Sequence, residues 1–377
     1  MITIYSTQVH TYSIIRKAHR VTAKMRSSAL RSAKSALPYA TRNYSTRVRH
    51  LMSISDLTGA EFSQLVLNAA AHKKAVKSGG IPAGLNRKLT GQTVAMMFSK
   101  LSTRTRVSTE AAVAMLGGHP MFLGKNDIQL GVNESLKDTS KVISSMTSCM
   151  VARVGPHSDV ADLAKYSSVP VINALSNGFH PLQIIADFLT IHESIPRAPT
   201  ESVIPKGLKV AWVGDANNVL FDFAIACLKL GVEISVATPR GYSIPQDKVE
   251  LITSQAKSAS TPGVLNQTYV PEEAVKDADI IVTDTWISMG QEEESKKRLK
   301  DFAGFQVNNE LAKRGGAKPD WKFMHCLPRH PEEVADEVFY SPRSLVFPEA
   351  ENRLWAAVAA LEGFVVNNGE ISPTSYA

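Results

Sequence analysis

The sequence predicts an α/β protein of two doubly wound parallel-sheet domains with a ligand cleft between them. Three observations lead there. Apolar runs of strand length alternate with segments of helical periodicity, the pattern of repeated βα units. The alternation stops at a proline-rich stretch, residues 195–205, and then restarts. The length, 377 residues, suits two domains of ordinary size.

The elements follow in order. Residues 57–77 read as an amphipathic helix with Leu57, Phe62, Leu65, Val66 and Ala69 on or near one face. Residues 93–98 are a buried strand. The helix after it places Val107, Ala111, Ala114 and Met115 on one face, with Ser102 as N-cap and Gly117-Gly118 as stop. A short strand at 121–123 precedes a helix opened by a Ser135/Asp138 capping box and running to about 147. Strand 150–154, helix 158–166, strand 169–173 and helix 180–192 complete the first half. The second half reads as strand 208–213, helix 218–230, strand 233–237, helix 247–258, strand 280–283, helix 292–302 and strand 322–325. A last helix spans 349–365. Such units build a mainly parallel sheet covered on both faces, with ligands in the crevice at the strand C-termini.

The formal charge of +7 is uneven. Ten of the 42 Lys and Arg lie in residues 1–50, which hold no Asp or Glu, leaving 32 basic against 35 acidic residues in the remainder. The basicity therefore gives no argument for nucleic-acid binding by the folded part. A basic, serine-rich, acid-free N-terminus has the composition of a mitochondrial transit peptide, taken here as residues 1–44. A basic tail for nucleic acid is the alternative. No stretch approaches eighteen apolar residues, so no membrane span is expected. Three cysteines without metal spacing suit a reducing compartment.

Chemistry-bearing residues gather where strands end. Ser102-Thr103-Arg104-Thr105-Arg106 lies between a strand and a helix start, where unpaired N–H groups and the dipole favour a phosphate. Arginines there oppose the dipole, which calls for an anion to offset them. Arg153 closes a strand and suits either an anion or an internal salt bridge. His180 and Gln183 lie one turn apart at a helix start and can aim at one ligand. Asp284, Ser288 and Gly290 follow strand 280–283; an ammonium and a carboxylate would fit there, and so would a plain Asx turn. Cys326 ends another strand, as a reactive thiol or a small buried hydrophobe. Asn218 reads as a helix cap and Arg353 as a solvated charge. Val210 to Val219 opens like a dinucleotide turn, but Ala216 and Val219 occupy two of the glycine positions, which argues against a dehydrogenase.

These motifs together resemble the aspartate/ornithine carbamoyltransferase family over about residues 51–366. Ser102-Thr-Arg-Thr105 and His180-Pro-Leu-Gln183 match its two carbamoyl-phosphate motifs. Asp284-Thr-Trp-Ile-Ser288-Met289-Gly290 and His325-Cys326-Leu327-Pro328 match the signatures of its ornithine-using branch. The resemblance implies a carbamoyl-phosphate domain (51–195), an ornithine domain (206–348) and a C-terminal helix (349–366) returning to the first. It implies that carbamoyl phosphate is held by Ser102, Thr103, Arg104, Thr105, Arg153, His180, Gln183, Cys326, Leu327 and Arg353. Gln129 would be added from a loop that reaches a neighbouring subunit. It further implies ornithine contacts at Asn218, Asp284, Ser288 and Met289, and catalytic parts for Arg104, His180, Asp284 and Cys326. Citrulline formation in the mitochondrial matrix by a homotrimer, with no cofactor or metal, is the resulting expectation. A carbamoyltransferase for putrescine or acetylated ornithine would share the phosphate motifs, and a binding protein that has lost catalysis would share the fold.

Overall fold

The computed structural model describes residues 48–128, 134–198, 203–257, 261–287 and 292–374, and residues 46–377 form one compact unit. The proposed leader, Gln129, Ser288 and Met289 lie outside the described residues.

The first half runs α1 (Gly59–Gly79), β1 (Thr93–Phe98), α2 (Thr103–Met115), β2 (His119–Gly124), α3 (Leu136–Met146), β3 (Cys149–Arg153), α4 (His157–Tyr166), β4 (Val171–Leu175) and α5 (Pro181–Ser194). The second half runs β5 (Lys209–Val213), α6 (Asn218–Lys229), β6 (Glu233–Ala237), α7 (Gln246–Ala256), β7 (Val264–Thr268), α8 (Pro271–Val275), β8 (Ile280–Thr283), α9 (Ser295–Asp301), α10 (Asn309–Gly315), β9 (Lys322–His325), α11 (Asp336–Phe339) and α12 (Val346–Leu361). A π-helical turn, Glu362–Val366, ends α12.

Both sheets are parallel, in the orders β2-β1-β3-β4 and β7-β6-β5-β8-β9. The chain reverses direction between β1 and β3, and again between β5 and β8. Those are the switch points where a doubly wound sheet opens a crevice. Register then decides which side chains meet there. Phe98 pairs with Arg153, and Thr283 pairs with His325. The residues just after β8 and β9, Asp284 and Cys326, are therefore neighbours.

One apolar core joins the halves. The rings of Phe62 on α1, Phe188 on α5 and Phe223 on α6 follow one another at centroid distances of 5.1 and 5.3 Å. Residues 181–192 of α5 are buried on every side, as expected of a helix between two layers. The α12 helix packs on α5, α2 and α1, which brings the end of the chain back to the first sheet.

Several expectations need correction. The buried face of α2 is Thr105, Ser108, Thr109, Ala112 and Val113, whereas Val107 is 61% exposed. Close contact with α12 selects small and hydroxyl-bearing residues, and Ser108 Oγ satisfies itself on the Thr105 carbonyl at 3.2 Å. The apolar periodicity marked the outer face. Ser135 caps α3, but Asp138 answers its hydroxyl at 2.7 Å rather than completing the box through the backbone. The fourth strand lies two residues later than expected. The sequence reading also missed β7, α8, α10 and α11. Edge strand β7, Val-Leu-Asn-Gln-Thr, has two buried-leaning positions and no apolar run, and the three helices are four to seven residues long. Elements that short carry little periodicity.

Candidate active site

A cavity of about 980 Å³ opens between the C-terminal ends of the two sheets. Its wall includes Ser102, Arg104, Thr105, Arg153, His180, Gln183, Asn218, Asp284, Cys326, Leu327 and Arg353. Eleven of the sequence-derived site residues thus converge. Thr103 does not: it is exposed, and only its backbone N–H, at the first position of α2, stands at the helix start.

One end of the cavity is cationic. Ser102 caps α2 by accepting from Thr105 N at 3.1 Å, which leaves the Thr103 and Arg104 N–H groups without intrahelical partners. The buried guanidinium of Arg153, at the end of β3, donates to the Leu101 carbonyl. From α12 the buried Arg353 donates to Gln183 Oε1 at 2.6 Å and to Thr105 Oγ1 at 3.2 Å. Arg104 reaches across to the Leu327 carbonyl at 2.6 Å. Each of these bonds is made to a neutral oxygen. Burial, then mutual repulsion, lowers Arg153 and Arg353 to about 10. Such a cluster is stabilised by a buried dianion placed among it.

The same environment sets His180. This residue starts α5, its Nδ1 is buried without a partner, and burial followed by Arg353, Arg153 and Arg104 drives its pKa well below the ordinary value. The imidazole is neutral at physiological pH and retains one N–H donor. The amide of Gln183 is oriented from behind. Its Nε2 donates to Asp187 Oδ1 at 2.7 Å and to Glu349 Oε1 at 3.1 Å, which turns Oε1 toward Arg353. Burial raises Asp187 to about 7 and Glu349 well above its usual range, so the pair of carboxyls holds a proton near neutral pH.

The other end carries Asp284. Its Oδ2 accepts from Asn217 Nδ2 at 2.7 Å, and its Oδ1 accepts from Thr285 N at 2.7 Å and Cys326 Sγ at 3.1 Å. The cap of α6 is Asn217, not Asn218 as the sequence suggested, because Asn217 Oδ1 faces both Val219 N and Leu220 N. Asn218 instead donates to the Ser176 carbonyl at 2.6 Å. Leu327 holds φ at 62°, and its carbonyl accepts from Arg104 Nη2. A left-handed leucine costs on the order of 1–3 kcal/mol, the kind of strain that gathers at functional sites. Ligating atoms of Asp284, His325 and Cys326 lie within 4.8 Å of one another. They are engaged otherwise: the thiol donates to Asp284, and His325 Nδ1 accepts from Leu327 N at 2.9 Å.

The sequence reading missed Lys100, Asn217, Asp187 and Glu349. Lys100 lines the cationic end and Asn217 the other. Asp187 follows Gln183 by one helical turn, a spacing that could have exposed it. Glu349 shows no signal in one sequence, since its partner Gln183 is 166 residues away.

Two family models cover most of the chain. Residues 49–193 match the carbamoyl-P binding domain of aspartate/ornithine carbamoyltransferase, and residues 206–363 match its Asp/Orn binding domain. The chain belongs to the aspartate/ornithine carbamoyltransferase family. Among its relatives, a mitochondrial ornithine carbamoyltransferase of Emericella nidulans is 70% identical over 325 residues, 86% of this chain and 90% of that protein. The crystal structure of a mitochondrial ornithine carbamoyltransferase from Coccidioides immitis superimposes with a TM-score of 0.80 at 67% identity, covering 86% and 99% of the two chains. An ornithine carbamoyltransferase from Pyrococcus furiosus gives 0.77 at 45% identity, covering 84% and 97%.

Within this family member, the state of Cys326 is set by its surroundings. Burial first, then Asp284 and Glu349, push the thiol well above its usual range. The protonated form is the one that donates to Asp284. Carbamidomethylation of Cys326 at pH 8 is therefore expected to run at least about tenfold slower than that of an ordinary thiol of pKa about 8.5. Peptide mass spectrometry of iodoacetamide-treated protein measures the rate, and a rate equal to that of an ordinary thiol contradicts the assignment.

Proposed function

We propose that this chain is an ornithine carbamoyltransferase: it moves the carbamoyl group of carbamoyl phosphate to the side-chain amine of L-ornithine, giving L-citrulline and phosphate. The observation that carries this is one cavity with a cationic, helix-capped end and an Asp284–Cys326 end. Ser102, the Thr103 and Arg104 N–H groups, the Arg104 side chain, Thr105 and Arg153 hold the phosphate. Arg104, Arg353 and neutral His180 donate to the carbonyl oxygen as it gains charge, and Gln183 Oε1 accepts from the carbamoyl NH₂. Donors fixed before the reaction cost no reorganisation, and each is worth about 3–4 kcal/mol at the transition state.

Asp284 anchors the α-ammonium of ornithine, with Asn217 and Asn218 beside it, and Ser288 and Met289 complete the ornithine contacts. The δ-amine attacks as the neutral base. The new C–N bond forms, the C–O bond to phosphate breaks, and the departing phosphate takes the amine proton. Cys326, held as a thiol, positions the amine and is not its base.

The domain reading stays 51–195 for carbamoyl phosphate, 206–348 for ornithine and 349–366 for the returning helix. Residues 1–44 serve as a mitochondrial leader, in keeping with the mitochondrial names of the relatives. The active unit is a homotrimer in which Gln129 reaches a neighbouring site. Among the described residues no helix is long and apolar enough to cross a membrane.

The test supplies carbamoyl phosphate with ornithine, putrescine, N-acetylornithine or aspartate, and follows phosphate release together with the carbamoylated product. Citrulline forming far faster than any other product is the expected result. Turnover with another amine overturns the assignment of the Asp284 end. No turnover by folded protein that binds carbamoyl phosphate makes the chain a binding protein.

A further inference from the structure

Asp222 lies in the second turn of α6 and is fully buried. Its Oδ1 accepts from Ser53 Oγ at 2.6 Å and Ile54 N at 2.9 Å, and its Oδ2 accepts from His180 N at 2.8 Å. All three donors belong to the first half of the chain, and the acceptor belongs to the second. His180 is the residue before α5, and its own side chain makes no capping bond there. The Asp222 carboxylate is what holds its backbone.

Other contacts make α6 a common support for both ends of the cavity. Two turns beyond Asp222, Lys229 Nζ donates to the carbonyls of Ser55 and Leu57, so α6 grips residues 53–57 at two points. At the N-terminus of α6, Asn217 holds Asp284 and Asn218 holds the Ser176 carbonyl, four residues before His180. One rigid helix thus touches the amino-acid end through Asn217 and the phosphate end through Asp222.

We propose that Asp222 is a positioning residue for the transfer reaction: by locking the His180 backbone to α6, it sets the imidazole relative to the Asn217–Asp284 pair. This rests on the activity proposed above. Asp222 touches neither substrate and acts through His180.

The substitution Asp222→Asn keeps shape and size but replaces one acceptor by a donor. Its NH₂ must face either His180 N–H or Ile54 N–H, which leaves a buried backbone donor unpaired. The start of α5, with His180 on it, then loses its fixed place. The expected result is a kcat/KM for carbamoyl phosphate about tenfold lower, with the KM for ornithine unchanged. Ser53→Ala removes one leg and leaves the His180 bond. It is expected to lower the thermal midpoint while keeping kcat and both KM values within twofold. If D222N folds and its constants stay within twofold of the parent, the proposal fails. It also fails if S53A loses as much kcat/KM as D222N, since the effect would then be general destabilisation. Should D222N not fold, amide hydrogen exchange of the unmutated protein decides. The His180 N–H is expected to exchange as slowly as the buried middle of α6, and exchange as fast as exposed loop amides overturns the lock. Absence of turnover in the unmutated protein is a separate outcome: it contradicts the activity, and the exchange measurement still tests the lock.

Discussion

Replacing Arg104 with alanine is expected to lower kcat/KM for carbamoyl phosphate by about 10³- to 10⁴-fold while leaving the protein folded. The size follows from two losses. Removing one preorganised donor to a developing oxyanion costs about 10²–10³ in rate. A lost charge-assisted bond to the phosphate adds about 1.5–3 kcal/mol, or roughly another tenfold or more. The fold should tolerate the change because Arg104 is only half-buried, and a cation at the second position of α2 opposes the helix dipole. Its bond to the Leu327 carbonyl also ties the two sheets across the cavity, so part of the loss comes from looser closure. Lysine at this position should recover little. A point charge cannot reproduce a planar fork that serves a carbonyl and an anion together. Steady-state kinetics with both substrates, with thermal unfolding as a check on folding, measures the effect. A loss below tenfold would mean that Arg153 and Arg353 hold the substrate without it.

The parts of this site that were legible in the sequence are those whose chemistry is local. A serine before a helix, an arginine at a strand end and a histidine opening a helix each declare themselves within a few residues. The parallel sheets were legible for the same reason, since β1, β3 and β8 each hold a continuous apolar run, residues 94–98, 149–152 and 280–282. What escaped depends on contacts between distant segments. The outward face of α2 looked like a core face because its apolar residues recur at the helical period. Only the approach of α12 shows that Thr105, Ser108 and Thr109 face inward. Glu349 and Asp222 read as ordinary helix residues; their partners lie 166 and 168–169 residues back for Gln183 and the Ser53–Ile54 turn. The choice between Asn217 and Asn218 could not be read from two identical neighbours. It is decided by which amide faces the free N–H groups of α6.

At the other end of the cavity, Asp284→Asn is expected to reduce kcat/KM for ornithine by about 10²- to 10³-fold and to leave the affinity for phosphate within twofold. Asp284 accepts from Asn217, Thr285 and Cys326, and each of those donors is positioned by the register of β8 and β9 or by the cap of α6. An asparagine has one acceptor oxygen for three donors. Its NH₂ must oppose either the Asn217 amide or the thiol and Thr285 N–H, and a buried donor left unpaired costs about 1–3 kcal/mol. The substitution also removes the negative charge that faces an ammonium, an interaction of about 1.5–3 kcal/mol for a charged hydrogen bond. The two terms together reach the stated range. The phosphate contacts come from the cap and first turn of α2 and from the end of β3, and should not change. Kinetics with ornithine varied, set beside phosphate binding by calorimetry, separates the two ends. The thiol supplies an internal control. Asp284 is among the groups that raise the Cys326 pKa, so removing its charge should speed alkylation of Cys326. Loss of ornithine turnover with unchanged alkylation would mean that the asparagine keeps the thiol bond and that the lost charge alone carries substrate binding. If phosphate affinity fell in parallel, the two ends would be coupled through α6, and Asn217 would be the link.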